Sequence, residues 1–118
     1  MLTKRDLILE AQDVLDRFWF VRDFHIVEQT QRTVTLHITI SSELFVQAFL
    51  SESSQRVNLA LVGSGGRLYG RDCEHGRWHR HPFGRPEEHE FTPEGMSIQP
   101  LMQFMTEVEE IIVEHDLI

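Results

Sequence analysis

The sequence of 118 residues predicts an α+β fold made of a single domain, residues 1–118, and two observations support this prediction. Apolar residues recur at helical spacing near both ends of the chain. Between these segments, apolar and polar residues alternate with a period of two, as they do in strands. The expected order is an N-terminal helix, an antiparallel meander of about five strands, a long His/Arg/Pro-rich loop and a C-terminal helix.

The segment TKRDLILEAQDVLDRFW near the N-terminus predicts an amphipathic helix. Thr3 is a suitable N-cap residue, and Asp6 follows it three residues later. One stripe of the helix is therefore expected to be buried and the other to face water. The expected buried residues are Leu7, Ile8, Ala11, Val14, Leu15 and Phe18, and the expected exposed residues are Lys4, Glu10, Asp13 and Arg17.

The middle of the chain predicts an antiparallel meander. In TVTLHITI, residues 33–40, apolar side chains alternate with threonine and histidine, as in a strand that is buried on one face. GSGG, residues 63–66, predicts a hairpin turn, because it lacks the Lys-Ser/Thr ending and the following helix of a phosphate-binding loop. The other expected strands are DFHIVEQ before residue 33 and LFVQAFL, RVNLALV and RLYGRD after residue 40.

Both faces of the predicted sheet carry apolar residues. Phe45 and Phe49 alternate with Val46 and Ala48, so the two pairs point to opposite faces. If both faces are apolar, both need a cover, which is either the two helices or a second copy of the chain. A homodimer is therefore one of the open alternatives.

The C-terminal part of the chain predicts a polar loop and then a helix. Residues 70–95 are rich in Gly, Pro, His, Arg and Glu, and we expect their backbone to run over the surface. The helix is expected to begin near Ser97, with Pro100 in its first turn. Its expected apolar stripe is Leu101, Phe104, Met105, Val108, Ile111 and Ile112, and its expected exposed residues are Glu107, Glu109, Glu110 and Glu114.

Composition limits the classes of protein to which this chain can belong. The net charge of −8 argues against a general nucleic-acid coat protein. A single cysteine cannot form an internal disulfide, and the first residues contain no apolar run of signal-peptide length. No segment approaches the roughly 20 apolar residues of a membrane span. We therefore expect a cytoplasmic protein without a membrane partner.

The segment GRDCEHGRWHRHP, residues 70–82, concentrates side chains that are suited to chemistry. Between Arg67 and Arg85 the chain has five arginines against two acidic residues, so a basic patch lies on an acidic body and can face phosphate. The glycine and proline in this segment disfavour a helix. In the extended conformation that we expect instead, His79 and His81 point to the same face.

Two kinds of site use such a set of residues. Neutral imidazoles with a carboxylate bind zinc or another divalent transition metal. Alternatively, histidines act as general acid and base in metal-free cleavage of RNA, while arginines hold the phosphate and Trp78 or Tyr69 stacks on a base. The candidate residues are His75, His79, His81 and His89 for a metal; Asp72, His79, His81 and His89 for catalysis; and Arg71, Arg77, Trp78 and Arg80 for substrate binding.

The histidines and arginines of this segment can also have a purely structural role, and this alternative stays open. A loop rich in histidine and arginine is also found where the side chains are only solvated, or where they attach the loop to a sheet. The spacing of the histidines matches none of the specific metal-binding signatures. Cys73 has no second cysteine, and a buried structural thiol is expected there. The alternative function is then a non-catalytic metal-binding or protein-interaction module.

The segment LYGRDCEHGRWHRHPFGRPEEHEF resembles the TumE-like family of toxins from toxin–antitoxin systems. Asp72, the pair of His79 and His81, and Pro86 with His89 occupy positions comparable to the motif of that family. The residue after the aspartate is a cysteine here, where the family usually has asparagine. The resemblance implies a small toxin that acts on RNA, in the manner of a ribonuclease, and that a helix-turn-helix antitoxin neutralises.

Overall fold

The chain folds into helices at both ends and a sheet between them, in a computed structural model that describes residues 1–85, 87–91 and 98–118. The first helix, α1, spans Lys4–Arg17, and the second, α2, spans Pro100–Glu114. The expected α+β order of elements is confirmed. The strands are β1 (Asp23–Gln29), β2 (Thr33–Thr39), β3 (Phe45–Ser51), β4 (Arg56–Gly63), β5 (Gly66–Glu74), β6 (Arg77–His81) and β7 (Glu90–Phe91).

The seven strands of the described residues form one antiparallel sheet in which each strand pairs with the next along the chain. The expectation of about five strands was too low. The difference lies in β6, which continues the meander, and in β7, which adds two residues at its edge. The prediction that the backbone of residues 70–95 runs over the surface is therefore wrong for the β5–β6 hairpin, where Arg71 and His81 are buried.

One face of the sheet and the inner sides of both helices form the hydrophobic core. Alternate residues of the central strands point to this face, among them Leu36, Val46 and Leu59, and all three are fully buried. They pack in one cluster with Leu7 of α1 and Phe104 of α2. Both helices therefore cover the same face, and in the described part of the chain no element covers the other.

The N-terminus of α1 agrees with the prediction, but the polar face of the helix does not. Thr3 caps the helix: its side chain accepts from the amide of Asp6, whose carboxylate accepts from the amide of Thr3. Glu10 was expected to face water and is instead buried. Its Oε2 accepts a hydrogen bond of 2.7 Å from the amide nitrogen of Met102 in α2. The side chain of Gln99, the N-cap residue of α2, makes no capping bond.

Glu10 therefore supplies the acceptor that an N-cap residue of α2 would ordinarily supply. The predicted start of this helix near Ser97 lies outside the described residues, and the described helix begins at Pro100. Neither α1 nor α2 has the length and apolar character that a membrane-crossing helix needs.

Candidate metal centre

The β5–β6 hairpin carries the central residues of the site. Asp72 pairs with His79 across the hairpin, and Gly70 pairs with His81. Residues that pair in an antiparallel sheet point to the same face, so Asp72, His79 and His81 share the face that the helices leave uncovered. Extended backbone at residues 77–81 was predicted, and β6 confirms it. The hairpin turns through His75 and Gly76, which both have positive φ angles, 53° and 75°.

Three imidazoles meet beside this hairpin. The ring centroids of His79 and His81 are 5.0 Å apart, and those of His81 and His89 are 4.4 Å apart. The rings of His79 and His89 are nearly parallel at a centroid distance of 4.9 Å. One ring nitrogen from each histidine can be chosen so that the three lie within 4.8 Å of one another. The predicted grouping of these three histidines is thus present in space.

The carboxylate of Asp72 contacts two of these rings at their Nε2 atoms. Its Oδ2 is 3.0 Å from Nε2 of His81 and 3.5 Å from Nε2 of His79. The side chain is buried, and its Oδ1 has no hydrogen-bond partner among the described residues. A buried carboxylate oxygen usually has a partner, so Asp72 retains the capacity to accept one more bond.

Burial also affects the protonation of one of the three imidazoles, that of His79. Burial lowers the pKa of the His79 imidazole, and the charge of Asp72 offsets this effect only in part. The neutral ring is therefore favoured in His79, and the neutral ring is the form that binds a metal ion.

Arg67 is part of the site, although it was not among the predicted site residues. Its Nη2 lies 3.4 Å from Nδ1 of His81, and its Nη1 lies 3.8 Å from Oδ2 of Asp72. Strict alternation back from Asp72 would place residue 68, not residue 67, on this face. A bulge between the pairs Leu61–Tyr69 and Val62–Arg67 shifts the alternation by one residue, and only that irregularity brings Arg67 to the histidines.

The residues on this face enclose a cavity of about 590 Å³ that opens to solvent. Arg77 and His75, both predicted site residues, line it. His75 is nevertheless not one of the three histidines whose nitrogens converge. The lining residues are Arg67, Asp72, Glu74, His75, Arg77, His79, His81 and His89.

The structure does not bring the other predicted substrate-binding residues to this cavity. Arg71 points to the helices, where its Nε donates to Oε1 of Glu107 at 2.7 Å. The hydroxyl of Tyr69 donates to the same oxygen at 2.7 Å, so Glu107 is a network partner and not the freely exposed residue that was expected. Trp78 packs against the core, and Arg80 pairs with Glu90.

The phosphate and base contacts expected of Arg71, Trp78 and Arg80 would therefore have to form on the opposite side of the sheet from the histidines. Alternation explains the separation, because these residues occupy odd positions of β5 and even positions of β6. Cys73 lies on the same side as they do and is buried. Its burial raises the pKa of the thiol, as a structural cysteine requires.

Comparison with protein-family models, with curated proteins and with solved structures gave no match for this chain. The resemblance to the TumE-like family therefore stays a prediction from the sequence. Of the residues that carry it, Asp72, His79, His81 and His89 lie together in the structure, whereas Pro86 lies outside the described residues.

Proposed function

We propose that the protein binds a divalent transition metal ion, zinc in the first instance, through His79, His81 and His89. The observation that supports this function is the convergence of three ring nitrogens within 4.8 Å. Three protein ligands with a remaining position for water or substrate are the pattern of catalytic zinc sites. The cavity beside the imidazoles provides room for such a ligand.

The distances support the proposal further. Nitrogen ligands about 2.0 Å from a tetrahedral zinc ion lie roughly 3.3 Å from one another. In the protein the three ring nitrogens lie up to 4.8 Å apart. Side-chain rotations that move each nitrogen by about 1 Å would bring them to the spacing of zinc ligands. His89 lies between β6 and β7 and is exposed, so its ring can move without disturbing the core. Asp72, whose Oδ2 contacts Nε2 of His79 and of His81, would orient these two imidazoles.

A bound metal of this kind would lower the pKa of a coordinated water molecule, which could then act as the nucleophile in hydrolysis. The groups of the chain that would assist it are Asp72, which can accept a proton or hold an imidazole in position, and the arginines at the cavity wall, which can hold an anionic substrate. The same metal centre would fit a metal-dependent hydrolase and a non-catalytic metal-binding module. An assay for substrate turnover distinguishes these two functions.

The metal site can be tested by isothermal titration of zinc into the chelator-treated protein. We expect one ion per chain and a loss of affinity in His89→Ala, which removes an exposed ring and leaves the core intact. The matched control is His25→Ala, which removes an exposed histidine from β1 at the far edge of the sheet. Equal affinities for the wild type and for His89→Ala would contradict the proposal.

The second candidate function is cleavage of RNA without a metal. The protein would then be a cytoplasmic toxin with an antitoxin as its partner. The contacts of Asp72 with His79 and His81 favour it, because a carboxylate that orients an imidazole is a common arrangement in acid–base catalysis. Arg67 and Arg77 line the same cavity and could hold a phosphate. The resemblance to the TumE-like family points to the same role.

The metal-free function makes a separate prediction. RNA cleavage and growth inhibition should persist in EDTA and should be lost in Asp72→Asn with its fold retained. Activity that disappears in EDTA and returns with zinc would exclude the metal-free version. Co-expression with the product of an adjacent helix-turn-helix gene would test the antitoxin partner by pull-down.

A further inference from the structure

Asn58 lies beside Asp72 on the open face of the sheet. The two residues are paired directly between β4 and β5, and Asp72 is paired in turn with His79 of β6. Paired residues of an antiparallel sheet point to the same face, with their Cβ atoms about 4.5–5.5 Å apart. At that spacing, side chains as short as asparagine and aspartate are within hydrogen-bonding reach of each other. Asn58 is thus the neighbour of Asp72 on the side opposite to His79.

Each of these two side chains has a buried oxygen that makes no hydrogen bond. The two atoms are Oδ1 of Asn58 and Oδ1 of Asp72, and among the described residues neither has a partner. Buried polar atoms are nearly always paired, because an unmade hydrogen bond leaves the cost of removing the atom from water uncompensated. Two such atoms on directly paired residues therefore point to one interaction between these residues.

The orientation of the Asn58 carboxamide decides whether the two side chains can bond. Two oxygens are both acceptors, whereas the NH2 group of asparagine is a donor. The oxygen and the NH2 group are similar in size, so the side chain fits the same space after a rotation of about 180°. Asn58 as a whole is half-buried, although its Oδ1 is buried. The rotation therefore turns the donor to Asp72 and moves the oxygen to the more exposed side of the residue, where water can bond to it.

We propose that Nδ2 of Asn58 donates a hydrogen bond to Oδ1 of Asp72 and thereby holds this carboxylate against the histidines. The other oxygen of Asp72, Oδ2, lies 3.0 Å from Nε2 of His81 and 3.5 Å from Nε2 of His79. A carboxylate that is held at one oxygen can still turn about its Cβ–Cγ bond, and a second hydrogen bond at the other oxygen fixes its plane. Asn58 is therefore a positioning residue that acts on the imidazoles through Asp72.

This hydrogen bond would serve both candidate functions, because a metal centre and a metal-free acid–base site each need their imidazoles held in place. Only its effect on the affinity for zinc rests on the proposed metal centre. Removal of an outer-shell partner of a metal-binding histidine typically lowers the affinity for the metal by roughly 10- to 100-fold. Asn58 acts one bond further out than Asp72, so we expect an effect at the lower end of this range.

Nuclear magnetic resonance of the metal-free full chain tests the hydrogen bond itself. Asn58 is the only asparagine of the sequence, so labelling asparagine side chains with 15N gives the signals of a single NH2 group. One of its two protons should exchange with water about tenfold more slowly than those of free asparagine, because it is bonded to a buried carboxylate. Free exchange of both protons in the wild type would refute the inference.

Asp72→Ala provides the comparison for this measurement, with the backbone amide spectrum as the check that the variant is folded. The slow proton of Asn58 should exchange freely in this variant, because its acceptor is gone. Protection that persists in the folded variant would also refute the inference. If the variant does not fold, the exchange of the wild-type protons decides the question by itself.

Calorimetric titration of zinc into variants at position 58 tests the positioning role. Asn58→Leu fills a similar volume without a donor, and its affinity for zinc should fall about tenfold. Asn58→Gln keeps the amide donor on a longer side chain and should recover most of the affinity, which a role in packing alone does not predict. If Asn58→Leu binds zinc as tightly as the wild type, or Asn58→Gln binds it as weakly as Asn58→Leu, the positioning role is wrong.

Thr35→Val is the matched control for these titrations. Thr35 is a half-buried polar residue of β2 that points to the same face as Asn58, in the same row of paired residues. It is three strands away from Asp72 in the order of the sheet. Its replacement by valine should leave the affinity for zinc unchanged.

Failure of this inference can be distinguished from failure of the metal centre. If zinc binds but both amide protons of Asn58 exchange freely, the hydrogen bond to Asp72 is refuted and the metal centre stands. If zinc does not bind to the wild type, the metal centre is refuted, and the exchange measurement on the metal-free protein still decides whether the hydrogen bond exists.

Discussion

Glu10 provides a quantitative test of how α1 and α2 are joined. Burial raises the pKa of its carboxyl to about 7 from an ordinary value of 4.5, against the hydrogen bonds from the amides of Met102 and Leu101, which lower it. A shift of this size corresponds to at most about 3 kcal/mol of differential stability. The folded protein binds this proton more tightly than the unfolded chain does. Its contribution to stability is therefore complete below about pH 4.5 and is lost as the pH rises through about 7.

Glu10→Gln keeps an oxygen that can accept from the amide of Met102 and removes the ionisation. We expect the variant and the wild type to have similar free energies of unfolding at pH 4.5, and the variant to be more stable by about 1–3 kcal/mol at pH 8. Urea unfolding at intervals between these pH values measures the difference, and Asp16→Asn, an exposed acid on the same helix, is the control. A difference that does not change with pH would refute the reasoning. A variant less stable at pH 8 would show that the charge at the N-terminus of α2 outweighs desolvation.

Two further predictions concern the interior and the first helix. Glu107→Ala leaves the buried Arg71 guanidinium and the Tyr69 hydroxyl without their shared acceptor and should lower the free energy of unfolding by about 3 kcal/mol. Urea unfolding measures this loss. A loss below about 1 kcal/mol, which is the usual contribution of an exposed ion pair, would contradict this account. Thr3→Ala removes one half of the capping box and should cost about 1 kcal/mol, while Thr3→Ser should cost much less. Equal melting temperatures for the wild type and Thr3→Ala would show that the cap does not stabilise the helix.

Hydrophobic periodicity was sufficient to predict most of the fold. Leu36 and Ile38 alternate with polar residues over a full strand, and Val14 and Phe104 each belong to an unbroken helical stripe, so local pattern and tertiary burial agree. The β5–β6 hairpin was harder to predict, because its inward position 71 is an arginine. Its guanidinium donates to Glu107 of α2, a residue 36 positions later in the chain. A partner at such a distance leaves no local signal in the sequence.

The candidate site was predicted in part for the same reason. His79 and His81 could be paired from strand alternation alone, and both lie beside Asp72 as their register requires. Arg67 could not be assigned, since one inserted residue at the bulge reverses the alternation that the prediction used. Glu10 was wrongly predicted to be exposed. Its burial depends on the position of α2, and the periodicity of α1 gives no information on that position.

The central claim is that three imidazoles of this chain share one metal ion. X-ray absorption spectroscopy of the zinc-loaded protein tests it most directly, because the fine structure reports the number and kind of ligands. The account predicts three imidazole nitrogens about 2.0 Å from zinc, with the remaining ligand an oxygen, and a loss of one imidazole in His89→Ala. A spectrum with fewer than three imidazoles in the wild type, or one unchanged in His89→Ala, would contradict it.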